Sequence, residues 1–190
     1  DNLLLDPHYD RSLMSGITAD ADFGNVDLVS NTSFLDRHLK ARFDASQAWA
    51  GLTGFLPGAS PFDFSRSIVS LTHETRLSSS GGGRFEWLAG LFLSHSDEDL
   101  SSSLTGPDDS GTIVLARMEY REDRASEAAL YGEATYRFTR TLSLIAGARI
   151  FYASHSVSAE RSGLLVGAPS PFRGTSTQPG VAPKLVLSYK

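Results

Sequence analysis

The sequence of 190 residues contains no cysteine and no surplus of basic charge. The absence of cysteine excludes a disulfide framework, a thiol nucleophile and any cysteine-containing zinc site. The formal net charge is −5, the sequence pI is near 5.5, and the charges are scattered along the chain. Because binding to phosphates needs a basic surface, we expect no nucleic-acid partner.

Long apolar runs are also missing. No stretch approaches the roughly 18 to 20 apolar residues of a membrane-spanning helix, and the mean hydropathy is −0.15. A membrane-spanning strand needs only about 9 to 11 residues and alternates apolar with polar side chains, so averaged hydropathy does not exclude one. The opening DNLLLDPHYD lacks the basic start and apolar centre of a signal peptide. We therefore expect a chain that begins after processing or is an excerpt.

The segment from Ser126 to Tyr152 alternates with a period of two, which predicts two strands around a break at 139–141. One face of each strand carries no charge, whereas the other face carries Glu and Arg. Such a dry face packs either on a protein core or on lipid. The dry faces comprise Ala128, Leu130, Gly132, Ala134, Tyr136 and Phe138 on the first strand and Leu142, Leu144, Ala146, Ala148, Ile150 and Tyr152 on the second.

Similar segments recur along the whole chain, and no helical period competes with them. Short connections alternate strictly with long ones, which places all short turns at one rim of an antiparallel meander and all long loops at the other. The sequence therefore predicts an all-β, antiparallel up-and-down meander that is part of a transmembrane β-barrel. The predicted strands are 12–23, 26–35, 64–77, 84–96, 126–138, 142–153 and 182–190, with short turns at 24–25, 78–83 and 139–141 and long loops at 36–62, 97–121 and 156–179.

Three stretches resemble the barrel portion of TonB-dependent outer-membrane receptors: THETRLSSSGGGRFEWLAGLFLS, AALYGEATYRFTRTLSLIAGARI and APKLVLSYK. The resemblance covers 64–190 well and the earlier residues only as a strand pattern. It implies a location in the outer membrane of a Gram-negative bacterium, with lipid around the barrel. It also implies import of a scarce small-molecule ligand, most often a ferric siderophore, with energy delivered by the TonB complex to a plug domain.

The family's plug and TonB box have no counterpart in 1–190, which ends in Tyr189 and Lys190 rather than in a terminal aromatic residue. The family barrel is expected to have about 22 strands around a plugged lumen. The resemblance therefore implies that residues 1–190 form a partial barrel domain of about seven strands, and that TonB would act through a plug outside it.

The alternation also divides the side chains between the two sides of the wall. Two alternatives stay open: a passive porin-like barrel, which has the same loops and no plug, and a soluble β-sandwich binding module, whose dry faces would be core. In a membrane barrel, the lumen-facing candidates are Glu74, Glu127, Glu133, Arg137, Arg149 and Lys184, and the membrane-facing candidates are Trp87, Leu130, Tyr136, Leu144, Ala146 and Tyr152.

No residues form a recognisable catalytic, metal or cofactor motif. The five histidines are scattered, and the acidic runs 97–99 and 108–109 lack the spacing of a calcium loop. The triplets at 94–96 and 154–156 each contain Ser and His, but adjacent strand residues point to opposite faces, so neither triplet is a dyad. We expect no enzymatic activity and no cofactor, and the ligand-binding residues are not assigned.

Overall fold

A computed structural model describes residues 3–189, so Lys190 of the last predicted strand lies outside the described residues. The strands form one antiparallel sheet in which each strand pairs with its neighbours in the sequence. The predicted all-β, up-and-down meander of seven strands is confirmed. Its elements are β1 (His8–Asp22), β2 (Val26–Asp44), α1 (Ser46–Thr53), β3 (Pro61–Ser79), β4 (Phe85–Pro107), β5 (Ile113–Arg137), β6 (Leu142–Gly163) and β7 (Gly167–Tyr189).

The strands are much longer than predicted, and the long loops are mostly strand. β5 has 25 residues, and β4 joins it through only five, 108–112. β6 joins β7 through 164–166, so 45–60 is the sole long connection among the described residues. The prediction failed because hydrophobic alternation marks a strand only where one face is dry. In the parts of the strands that lie farther from the short turns, both faces are polar, although the backbone hydrogen bonds of the sheet continue.

The connection 45–60 contains the helix α1, which the sequence did not predict. The helix has eight residues, too few for a helical period to stand out from the strand pattern. It ends at Gly54, whose φ of 79° is left-handed and whose N–H donates to the carbonyl of Ala50. Across residues 3–189, no helix has both the length and the apolar character needed to cross a membrane.

Prolines occur within β7, in a stretch that the sequence predicted as loop. All of them occupy odd positions, so their nitrogens lie on one side of the strand. Pairing with β6 is unbroken from Ser170 to Tyr189, so that side is the outer edge of β7, where a proline interrupts no ladder. These residues are Pro169, Pro171, Pro179 and Pro183.

The register separates an apolar face of the sheet from a charged face. Residues directly opposite in an antiparallel ladder share a face, and one such row joins Leu91, Leu130, Ile150 and Val181. We call the part of the apolar face nearest the 138–141 turn the apolar band. It covers about the 9 to 11 residues per strand that cross a bilayer, namely 85–93 of β4, 128–136 of β5, 142–152 of β6 and 179–189 of β7.

The apolar band is exposed along its length. Leu130 is 63% exposed, Ile150 60% and Leu185 75%, and residues 3–189 form one sheet with no second sheet packed on it. A β-sandwich requires two sheets whose inner faces interdigitate. The soluble-sandwich alternative therefore does not fit the described residues, in which the dry faces have no protein partner.

Candidate functional site

The charged face is crossed by an ion pair and a hydrogen bond that each reach over an intervening strand. Lys184 of β7 places its Nζ 2.6 Å from Oε2 of Glu133 in β5. Gly147 of β6 lies between them and is the register partner of both. A Cβ at Gly147 would lie 2.8 Å from the Glu133 side chain, so glycine leaves room for the pair.

A second contact crosses β4 in the same way. The hydroxyl of Tyr131 in β5 donates to Oε1 of Glu74 in β3 at 2.5 Å. Between them lies Gly90, where an added Cβ would collide with the Tyr131 ring. The absence of a side chain at Gly90 therefore allows the ring to lie across the strand.

Arginines complete this network on neighbouring strands. Arg149 donates from Nη2 to Glu127 at 2.6 Å, and its guanidinium lies 5.3 Å from the ring centroid of Phe92, within the range of a cation–π contact. Near the 138–141 turn, Arg137 donates two hydrogen bonds to the carboxylate of Glu86, of 2.5 and 2.7 Å. The charged face thus carries fixed, mutually neutralising pairs.

The register places all six predicted lumen-facing residues on the charged face and all six predicted membrane-facing residues on the apolar face. The first group forms the contacts just described. The second group is spread over β4, β5 and β6, with Leu144 opposite Tyr136 and Ala146 opposite Ala134. Four of the charged residues, Glu74, Glu133, Arg149 and Lys184, line a shallow groove of about 550 Å³.

A small core lies at the far rim, in a segment that we call the rim cap, residues 45–60. Trp49 of α1 is fully buried and packs with Leu104 and Ala116, and its Nε1 donates to the carbonyl of Pro107 at 2.9 Å. Leu104 lies opposite Phe62 on the charged face of the sheet. Because Trp49 packs on Leu104, the rim cap covers that face. The sequence analysis did not recognise this core, although a connection that contains a tryptophan, a phenylalanine and two leucines was a signal.

The fold of the chain matches that of a solved uptake receptor. Over 97% of this chain, it aligns with the ferric yersiniabactin uptake receptor FyuA from Yersinia pestis, with a TM-score of 0.77 and 17% sequence identity. The chain has the fold of a β-barrel segment. The alignment covers 27% of the FyuA chain, so this chain spans little more than a quarter of that length. No family model and no curated protein matches the sequence.

Asp44 joins the rim cap to the barrel-like sheet. Its carboxylate accepts hydrogen bonds from the Ser46 hydroxyl, from the Ser46 N–H at 3.0 Å and from the Leu4 N–H at 3.1 Å. The Ser46 hydroxyl oxygen in turn accepts from the N–H of Ser60 at 2.9 Å. The hydrogen bonds from Ser46 lower the pKa of Asp44 from 3.8 to about 2.

We expect the rim cap to loosen in acid. Because the folded state lowers the pKa of Asp44, the ionised carboxylate stabilises the fold. This stabilisation is complete above the ordinary pKa of 3.8 and is lost as the pH falls through about 2. The protection factor of the Ser46 amide, which compares its exchange rate with the intrinsic rate at the same pH, should therefore fall in this window.

The Asp44→Asn variant provides the control, because it cannot ionise. Its protection factor at Ser46 should already be low at neutral pH, and the further fall between pH 4 and 2 should be absent. An unchanged acid response in this variant would contradict the role of Asp44.

Proposed function

We propose that this chain is part of the wall of a TonB-dependent receptor in the outer membrane of a Gram-negative bacterium. The intact receptor would import a scarce nutrient of the ferric siderophore class, with energy transmitted by the TonB complex. The motif resemblance and the fold match with FyuA support this proposal. Residues 1–190 would be a partial barrel domain, and the plug would lie elsewhere in a longer polypeptide.

The observation that carries the proposal is the division of one sheet into two chemically different faces. The exposed apolar band has the height of a bilayer core, and burying it in lipid requires no second protein layer. The charged face would then line the lumen, where Glu74, Glu127, Glu133, Arg137, Arg149 and Lys184 hold water and contact the plug.

The fixed pairing of these charges suits a wall beside a moving solute. Glu133 is neutralised by Lys184 and Glu127 by Arg149, so neither carboxylate offers an unpaired charge that would hold a passing cation. The rim cap covers the charged face at its far end and would narrow the lumen entrance. In this role the chain supplies the wall and the rim, with the energy coupling performed by other parts of the receptor.

The proposal is tested by uptake in cells. The full-length protein is expressed in a strain without other siderophore receptors, and accumulation of radioiron is followed with catecholate, hydroxamate and phenolate siderophores as probes. We expect accumulation with at least one class and a fall to background when TonB is deleted or a protonophore is added.

The same assay separates the receptor from the passive porin-like barrel. A porin admits solutes down their gradient, so its uptake would be insensitive to TonB and would saturate poorly. Uptake that persists without TonB would contradict the receptor proposal and favour the porin. Absence of uptake with all three siderophore classes would contradict the ferric siderophore assignment.

A further inference from the structure

A serine, a histidine and an aspartate are linked by hydrogen bonds on the apolar face, immediately above the apolar band. Nδ1 of His95 lies 2.8 Å from Oγ of Ser126, and Nε2 of His95 lies 3.0 Å from Oδ2 of Asp97. His95 and Asp97 are two residues apart on β4, and Ser126 is the register partner of His95 on β5. This is the arrangement of a nucleophile, a base and a group that orients the base.

Contrary to the expectation from the sequence that the chain has no enzymatic activity, we propose that this constellation is an esterase site that cleaves acyl chains from membrane lipids. Ser126 is the nucleophile, His95 is the general base, and Asp97 is a positioning residue that holds the imidazole. Arg124 places its Nε 3.4 Å from Asp97 and helps to hold the carboxylate. The inference rests on the proposed membrane location of the apolar face, and it is independent of transport.

The position of the site fits a lipid ester. Leu93 and Ala128 form the last apolar row of the band, and His95 and Ser126 form the next row. A groove of about 370 Å³ runs between these two rows and is lined mainly by apolar surface. In a bilayer, ester groups lie where the acyl chains meet the polar headgroups, which is the boundary that this row occupies.

The exposure of the site is also consistent with this substrate. The His95 side chain is 55% exposed and Asp97 48%, and no other layer of the described chain covers them. A lipid can therefore approach from the membrane with its acyl chain on Leu71 and Leu93 and its ester near Ser126. The remaining polar lining at this end of the groove includes Ser154.

The reaction needs only an ester and water. Ser126 Oγ attacks the carbonyl carbon while its proton passes to Nδ1 of His95, giving a tetrahedral intermediate. The bond to the alcohol then breaks, and the alcohol leaves with the proton from His95, so the acyl group remains on Ser126. Water attacks this acyl-enzyme with His95 as base, and the fatty acid leaves as Ser126 regains its proton.

A hydroxyl donor beside Ser126 can stabilise the negative charge of the tetrahedral oxygen. Ser154 is the cross-strand partner of Ser126 on β6, which places the two Cβ atoms about 5 Å apart. The Ser154 hydroxyl is thus available as a donor for oxyanion stabilisation.

The test uses the full-length protein reconstituted in vesicles of phosphatidylethanolamine and phosphatidylglycerol with a dye on one acyl chain. We expect the protein to release labelled fatty acid and to react with a fluorophosphonate at Ser126, located by peptide mass. Ser126→Ala and His95→Ala should each lower the rate at least about 100-fold, and Ser126→Ala should also abolish labelling.

Two controls distinguish the site from general effects on folding. Ser158→Ala changes a serine of β6 that lies, like Ser126, on the apolar face. His155→Ala changes a histidine that contacts Asp123 on the charged face. Both variants should keep full activity. Asp97→Asn should lower kcat with little change in KM, and Asp97→Glu should restore part of the loss, as expected of a positioning residue.

The possible failures have separate meanings. Wild-type protein that inserts into the vesicles but neither releases fatty acid nor reacts with the fluorophosphonate overturns the esterase and leaves the receptor proposal intact. Equal release by Ser126→Ala likewise overturns it. Wild-type protein that does not insert into the vesicles overturns the esterase together with the membrane location on which it rests.

Discussion

Arginine in place of Leu144 or Ala146 is expected to impair membrane assembly of the full-length protein. Both residues lie within the apolar band of β6, with Ala146 near its middle. In a membrane barrel, arginine at the bilayer midplane costs about 2 to 4 kcal/mol because its charge has no partner in the hydrocarbon. The cost is measured by urea titration of folding into bilayers, with heat-dependent gel migration as the indicator of folded barrel.

Two positions on the same strand provide matched controls. Ile145→Arg places the charge one residue away on the charged face, and Ser158→Arg places it on the apolar face but beyond the band. Both variants should fold nearly as well as the wild type. If Ala146→Arg folded as well as these controls, the apolar band would not face lipid.

Alanine in place of Trp49 is expected to unfold the rim cap while leaving the sheet intact. Trp49 is the largest fully buried side chain of the described residues, and its removal also leaves the Pro107 carbonyl without its indole donor. Truncation of a buried tryptophan typically costs about 3 to 5 kcal/mol. The rim cap has little other core, so we expect fast amide exchange and proteolysis throughout 45–60.

Leu52→Ala is the control for this experiment, because Leu52 lies on the same helix and is 52% exposed. It should change the exchange rates of α1 very little. The strands β3 and β4 should keep their protection in both variants, since their ladder does not depend on α1. A rim cap that stays protected in Trp49→Ala would show that other contacts hold it.

The strand order and the two faces could be predicted because one face of each strand is dry near the short turns. The rows that contain Leu130 and Ile150 carry no charge, whereas the alternate positions include Glu127, Glu133 and Arg149, and this period of two predicts strands. The same pattern allowed Glu133 and Lys184 to be assigned to a common face. That they form an ion pair over Gly147 required the register of three strands.

The upper half of the sheet could not be predicted, because its two faces do not differ in polarity. Ser101, Ser102 and Ser103 are consecutive in β4, and a run of serines carries no period. Proline and glycine clusters then favoured loops. The link between His95 and Ser126 was missed because the two are 31 residues apart, and only the β4–β5 register brings them together.

The prolines of β7 make the two edges of the sheet unequal. β1 contains no proline from His8 to Asp22, so a strand added there can form an uninterrupted ladder. A strand added beside β7 meets positions without an N–H at Pro171, Pro179 and Pro183. In a barrel built from such a sheet, the strand beside β7 would therefore be joined by fewer backbone hydrogen bonds than the strand beside β1.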